Sequence, residues 1–227
     1  MDFNVKVYYI LDLFGQEVWI TQTIVNAWII MVILIIIAIV IRFTMRKWKT
    51  IPEGSQNVVE TLIGMFDNVV KDTAGEKFTE VGNWYFMVFC FLMMSSICSM
   101  VGLRPPTADW STTFAFAMAT VIIIQIMGLK HRKSKYLKSF IEPHFLFLPL
   151  NLIGELSRPI SLSFRLFGNM LAGMILMTLV YELLPIYLRF FFPAALHAYF
   201  DIITGLLQAY IFCILSLSFI SDAASAD

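Results

Sequence analysis

The sequence predicts an all-α, polytopic membrane protein. It has about five membrane helices and an amphipathic surface helix, and its last two helices are long, tilted and interrupted by polar residues. Three observations carry that prediction. The chain is 59% hydrophobic and only 14% charged, where a soluble domain carries about a quarter charged residues. Apolar runs of 18 or more residues recur, long enough to cross ~30 Å of hydrocarbon as helices. Two basic clusters then fall on the same side when those runs are threaded back and forth. Residues 1–227 read as one membrane domain, and the formal net charge of zero gives no global field for nucleic acid.

Residues 1–22 mix charges with aromatics and suit a short segment at the outer interface. Residues 24–41 form the first span. It ends in Arg42, Arg46, Lys47 and Lys49 without a small-residue cleavage pattern, so it reads as a helix and not a signal peptide. Residues 53–78 place Val58, Val59, Leu62, Ile63, Phe66, Val69 and Val70 at helical spacing among charges, the pattern of an amphipathic helix on the inner surface. Residues 84–103 span outward, a link with Pro105 and Pro106 stops the helix, and residues 112–129 return to a second cluster at Lys130, Arg132, Lys133, Lys135 and Lys138. The positive-inside rule puts both clusters in the cytoplasm, the N-terminus outside and the C-terminus inside. Residues 144–180 and 186–221 exceed a perpendicular span and contain Pro149, Asn151, Glu155, Arg158, Pro159, Arg165 and Asn169, then Arg189, Pro193, His197, Asp201 and Gln208. Cys90, Cys98 and Cys213 lie in apolar runs without CxxC spacing and read as buried thiols.

At 100° per residue, Asn151, Gly154, Arg158, Ser161, Arg165, Gly168, Asn169, Ala172 and Leu176 gather within about 60° of Arg165. This stripe is small and polar apart from its two arginines and Leu176. Leu156, Ile160, Phe167, Leu171 and Met174 lie opposite, so the helix offers large side chains to one neighbour and a flat basic track to another. A membrane-depth arginine costs roughly 2.5–3.5 kcal/mol on insertion scales and cannot shed its proton. Glu155 stands three residues from Arg158 and can neutralise it. Arg165 has no carboxylate at three or four residues in its own helix, so its partner belongs to another helix or subunit. On the final helix Asp201, Thr204, Gly205 and Gln208 share a face. Gln208 serves equally as an interhelical hydrogen bond or as a partner at Arg165's level.

The stretch SRPISLSFRLFGNMLAG (157–173) closely resembles the signature of subunit a of F-type ATP synthases: a serine, a basic residue, proline, then SL-x-x-RLFGN-x-x-AG. PLNLIGEL before it, LLQAYIFCILS after it and the outer link PPTADWSTT fit as well, so the resemblance covers residues 50–221. It implies a non-catalytic stator beside a rotating ring of c subunits, with a b-subunit peripheral stalk and the remainder of the F1Fo complex as further partners. Ions reach the ring carboxylates through two offset half-channels, and Arg165 matches the arginine that separates them. Asn169 and Gln208 match polar positions near it. Two positions depart from the pattern. Met174 stands where many members have Glu or His, and Asp201 where many have His or Glu, so Asp201 is expected to carry the relay alone. Glu182 is a candidate substitute for the missing group, or a solvated helix end.

Further candidates for a channel or relay are His197, four residues before Asp201, Ser99 with its neighbours Ser95 and Ser96, and Asp109. Small-residue packing explains the serines as well, and Asp109 equally caps the helix beginning near Ser111. His131 and His144 read as solvated loop residues. No cofactor or metal is expected. A broken-helix secondary transporter would need repeats and a substrate pocket, and an intramembrane hydrolase would need HExxH or GxSxG; the sequence carries none of these. The resemblance leaves H+ and Na+ both open, since the family's selectivity rests largely on the c ring. Compact length and the absence of a transit peptide favour a bacterial plasma membrane over an organelle inner membrane.

Overall fold

The computed structural model describes residues 7–13, 16–45, 54–141, 144–185 and 192–225. Arg46, Lys47, Lys49 and Arg189 lie outside the described residues. The outer interfacial segment is an antiparallel hairpin, β1 (Val7–Leu13) and β2 (Gln16–Thr21), which runs directly into the first helix. Helices α1 (Gln22–Met45), α2 (Ser55–Ala74), α3 (Thr79–Met100), α4 (Trp110–Arg132), α5 (Ser134–Ser139) and α6 (Leu148–Leu183) follow. The chain ends with α7 (Phe192–His197), π-helical turns over Ala198–Thr204, and α8 (Gly205–Ser225). Five of these units, with the last three segments counted as one, are long and apolar enough to cross a membrane. The protein is an all-α, multi-span membrane protein. Its two ends are named here by chemistry: the basic end holds Lys130 and Arg132, and the opposite end holds the α3–α4 link.

α6 runs for 36 residues through Pro159 without breaking. At 1.5 Å per residue that is ~54 Å, well beyond the hydrocarbon thickness. α4 packs along α6, and α8 lies against α2, α3 and α4. α2 does more than rest on a surface. Val70 and Ala74 are buried against Tyr85, Cys213 and Leu217, while Val58, Leu62 and Met65 at its start are exposed. α1 stands apart, burying only Thr23, Asn26 and Ile30. Polar clasps at the opposite end hold it: Asn26 Nδ2 donates to the Arg104 carbonyl at 2.8 Å, and the Thr23 hydroxyl donates to Asp109. Of the thiols only Cys213 is buried, and Cys90 and Cys98 are half-buried.

Between membrane helices lipid is as apolar as leucine, so close backbone approach and polar contacts hold the bundle. Gly205 sits where a Cβ would collide with the Ser96 side chain, which brings the last helix hard against α3. Gly128 does the same for α5, since a Cβ there would lie 2.7 Å from the Tyr136 ring.

Candidate functional site

The stripe on α6 faces outward. Gly154, Ser161, Gly168, Asn169, Ala172 and Leu176 are exposed, and a Cβ added at Gly154 or Gly168 would meet nothing. The packed side is Pro159, Leu162, Ser163, Leu166, Gly173, Met174, Met177 and Thr178, centred about 130° from Arg165 and not directly opposite it. Leu156 and Ile160, expected against a neighbour, are 58% and 46% exposed. A lipid-facing side is as apolar as a packed one, so hydrophobicity could not separate the two.

Arg165, at the centre of this stripe, is half-buried, and its Nη1 is enclosed with no hydrogen-bond partner among the described residues. One turn further on, Asn169 Nδ2 donates to Gln208 Oε1 at 2.6 Å. That bond turns the Gln208 amide so that its Nε2, also buried, has no partner among the described residues. Asn169, Gln208 and Thr204 line a cavity of about 20 Å³ with Phe200 and Met170. Arg165 Nη1 and Gln208 Nε2 are thus enclosed donors without an acceptor among the described residues, an arrangement that is costly unless an acceptor arrives.

Toward the opposite end, Asp201 is not alone. His197 Nδ1 lies 2.6 Å from Asp201 Oδ2, and the Tyr181 hydroxyl lies 3.4 Å from His197 Nε2. Asp201 sits within the π-helical turns, a distortion common at functional sites. His197, Asp201, Ser99 and Asn169 line a second cavity of about 10 Å³, walled by the buried Met174. Beyond Asp201, a cavity of about 280 Å³ opens between α3 and the last helix; Ser96 is its other polar side chain. Glu182 is exposed in the last turn of α6 and lines none of these cavities. Asp109 occupies the N-cap position of α4 but makes no side-chain cap bond. It accepts from Thr23 and pairs with Arg104 at 3.7 Å, so it fastens α1 to the α3–α4 link. Ser95 is spent on Thr107, 3.0 Å away.

Toward the basic end, Glu155 and Arg158 form the expected pair at 2.8 Å. They border a cavity of about 360 Å³ that Arg132, Tyr136, Asn151 and Asp222 also line. Gln125 Nε2 donates to Glu155 Oε2 at 2.9 Å, and the Tyr136 hydroxyl donates to Gln125 Oε1 at 2.9 Å. The Arg158 guanidinium lies 4.9 Å over the Phe219 ring on α8. His131 belongs to the last turn of α4 and not to a loop, its ring 5.0 Å from that of Phe78. Among the described residues no cluster of metal ligands exists.

The family model described as ATP synthase A chain matches residues 24–221. The chain belongs to the ATP synthase A chain family. ATP synthase subunit a of Moorella thermoacetica is 32% identical over 203 residues, covering 88% of this chain and 89% of that protein. The sodium ion specific ATP synthase subunit a of Propionigenium modestum is 32% identical, covering 90% of this chain and 74% of its own length. That of Geobacter sulfurreducens is 32% identical, covering 89% and 87%. The part shared with the ATP synthase A chain family runs from α1 into α8 and holds Arg165, Asn169, Asp201 and Gln208, while the β1–β2 hairpin lies outside it.

Three polar residues of this chain escaped the sequence reading. Gln125 carried a usable signal, an amide inside an apolar span. Tyr136 and Tyr181 carried none, because an aromatic near a membrane boundary is ordinary anchoring material.

Proposed function

We propose that this chain is the ion-translocating stator of an F-type ATP synthase, without a catalytic site of its own. It works in a bacterial plasma membrane with the basic end cytoplasmic, beside a ring of c subunits, a b-subunit stalk and the rest of the F1Fo complex. The observation that carries the reading is the pair of enclosed donors, Arg165 Nη1 and Gln208 Nε2, which no acceptor of this chain meets among the described residues. They stand beside an outward strip of small side chains. A carboxylate passing on a neighbouring helix supplies what both donors lack. The permanent cation lowers that carboxylate's pKa and makes it release its ion. Like-charge repulsion also bars ions from crossing directly past Arg165.

The two sets of cavities support separate inlets and outlets. Asn169 and Met174 line the path near Asp201 and lie four and nine residues beyond Arg165; Glu155 and Arg158 border the basic-end cavity and lie ten and seven before it. By helix rise these openings are offset by ~20 Å along α6 with the arginine between them. An ion entering at the opposite end is held by Asp201 with His197, passes the Asn169–Gln208 pair and loads the ring. After rotation it leaves into the basic-end cavity. Each elementary charge moved yields about 2.3 kcal/mol per 100 mV. The ion is H+ or Na+, a choice tested by asking whether the complex's ATPase depends on Na+. Arg165→Ala is expected to abolish ion-driven ATP synthesis while the complex still assembles. Synthesis at a near-normal rate in that variant would overturn the reading.

A further inference from the structure

The outward stripe carries two arginines, and of the two only Arg158 has an ion-pair partner among the described residues. Arg158 lies seven residues before Arg165, ~10.5 Å along the axis and within about 20° of the same direction. A second free cation there would offer a passing carboxylate another place to stop. Arg158 is instead drawn off the stripe: its Nη1 is paired with Glu155 Oε1, and its guanidinium is stacked on Phe219.

What fixes Glu155 is a directional chain. A carboxylate only accepts, so Gln125 must turn its Nε2 to Glu155 Oε2. The amide oxygen then faces Tyr136, whose hydroxyl must donate. The Tyr136 ring is buried, seated against Gly128 where any Cβ would intrude. Burial pushes the phenol above its ordinary range and Glu155 adds to the rise, so it stays protonated and remains a donor. The chain thus links α5, α4 and α6 and ends on Arg158.

We infer that Tyr136 and Gln125 are positioning residues that, through Glu155, keep Arg158 out of the ion exchange and leave Arg165 as the single cation on the stripe. The inference rests on the stator reading above. Its test is a double-mutant cycle in the whole F1Fo complex. Tyr136→Phe keeps the ring and loses only the hydroxyl. It should slow ATP synthesis and coupled ATP hydrolysis about fivefold, the weight of one typical hydrogen bond, with KM for ATP and ions pumped per ATP unchanged. Gln125→Leu should do the same. In an Arg158→Gln background both substitutions should cause no further loss, because the cation they restrain is gone. An equal loss in that background, a fall in ions pumped per ATP, or no loss in the Arg158 background would each overturn the inference. Arg165→Ala separates the two readings. Synthesis surviving it defeats the stator assignment, whereas synthesis lost there but intact in Tyr136→Phe defeats only this inference.

Discussion

Replacing Gln208 distinguishes a structural amide from one that handles the ion. In the chain alone Gln208→Leu is nearly neutral. It removes a buried donor that has no partner among the described residues, a group that costs about 1–3 kcal/mol when left unmet, and this offsets the hydrogen bond that Asn169 loses. Assembly should therefore hold. During turnover the balance differs, because Nε2 would donate to an ionised carboxylate, a bond worth about 1.5–3 kcal/mol. Its loss predicts a fall of about ten- to a hundredfold in ATP synthesis, at 1.4 kcal/mol per decade. Gln208→Glu sharpens the contrast. It can still accept from Asn169, so a purely interhelical role would tolerate it. Beside Asn169, one turn beyond Arg165, however, it would supply a carboxylate from within the chain and offset the Arg165 charge. The glutamate variant should thus be the more defective of the two. Synthesis rates and complex content, measured in the same membrane vesicles, decide the matter. A glutamate variant working at close to the wild-type rate would refute the reasoning.

Asp201→Asn should slow ion uptake into reconstituted vesicles by about a hundredfold, the low end for a positioned proton-transfer group, without loss of assembly; unchanged flux would move uptake to another residue. His197→Ala should reduce the same flux by less, because Asp201 keeps its carboxylate, and a larger drop than in Asp201→Asn would make His197 the primary acceptor. Gly205→Val forces a side chain into Ser96 and should destabilise the complex by about 1–3 kcal/mol, the usual cost of overpacking. Thermal dissociation of the complex reads this directly, and an unchanged transition would mean that α3 and α8 separate freely.

Much of this arrangement was legible in the sequence. Run length foretold the five long apolar helices, and a fixed positive charge without a nearby carboxylate marked Arg165 as a candidate. The orientation of α6 was not legible. In water, Leu156 and Ile160 would mark a packed face; in lipid they mark only a face that is not wet. Helix contacts depend there on small residues and hydrogen bonds, which are sparse and weakly patterned. Asp201's partner was half legible: one turn separates it from His197, but spacing alone could not tell a paired histidine from a solvated one. Tyr136 illustrates the remaining gap. Its importance comes from the absence of a side chain at Gly128, eight residues earlier, and neither residue is unusual alone.

Charge accounting ties the site to something outside the chain. At membrane depth, each carboxylate near Arg165 among the described residues is already engaged: Glu155 with Arg158 and Gln125, and Asp201 with His197. Asp109, at the opposite end, is held by Thr23 and Arg104. Arg165 cannot deprotonate, and neither its cost of roughly 2.5–3.5 kcal/mol nor the unmet Gln208 donor is offset by any of the described residues. Had the arginine been meant only to hold helices together, moving one acceptor on α4 or α8 would have sufficed, as Gln125 does for Glu155. The acceptors are instead spent elsewhere, and the face beside Arg165 is kept small and open. A permanently bound partner would satisfy the donors but stop there. The proposed acceptor, one that comes and goes, would use both the unmet donors and the open face beside them.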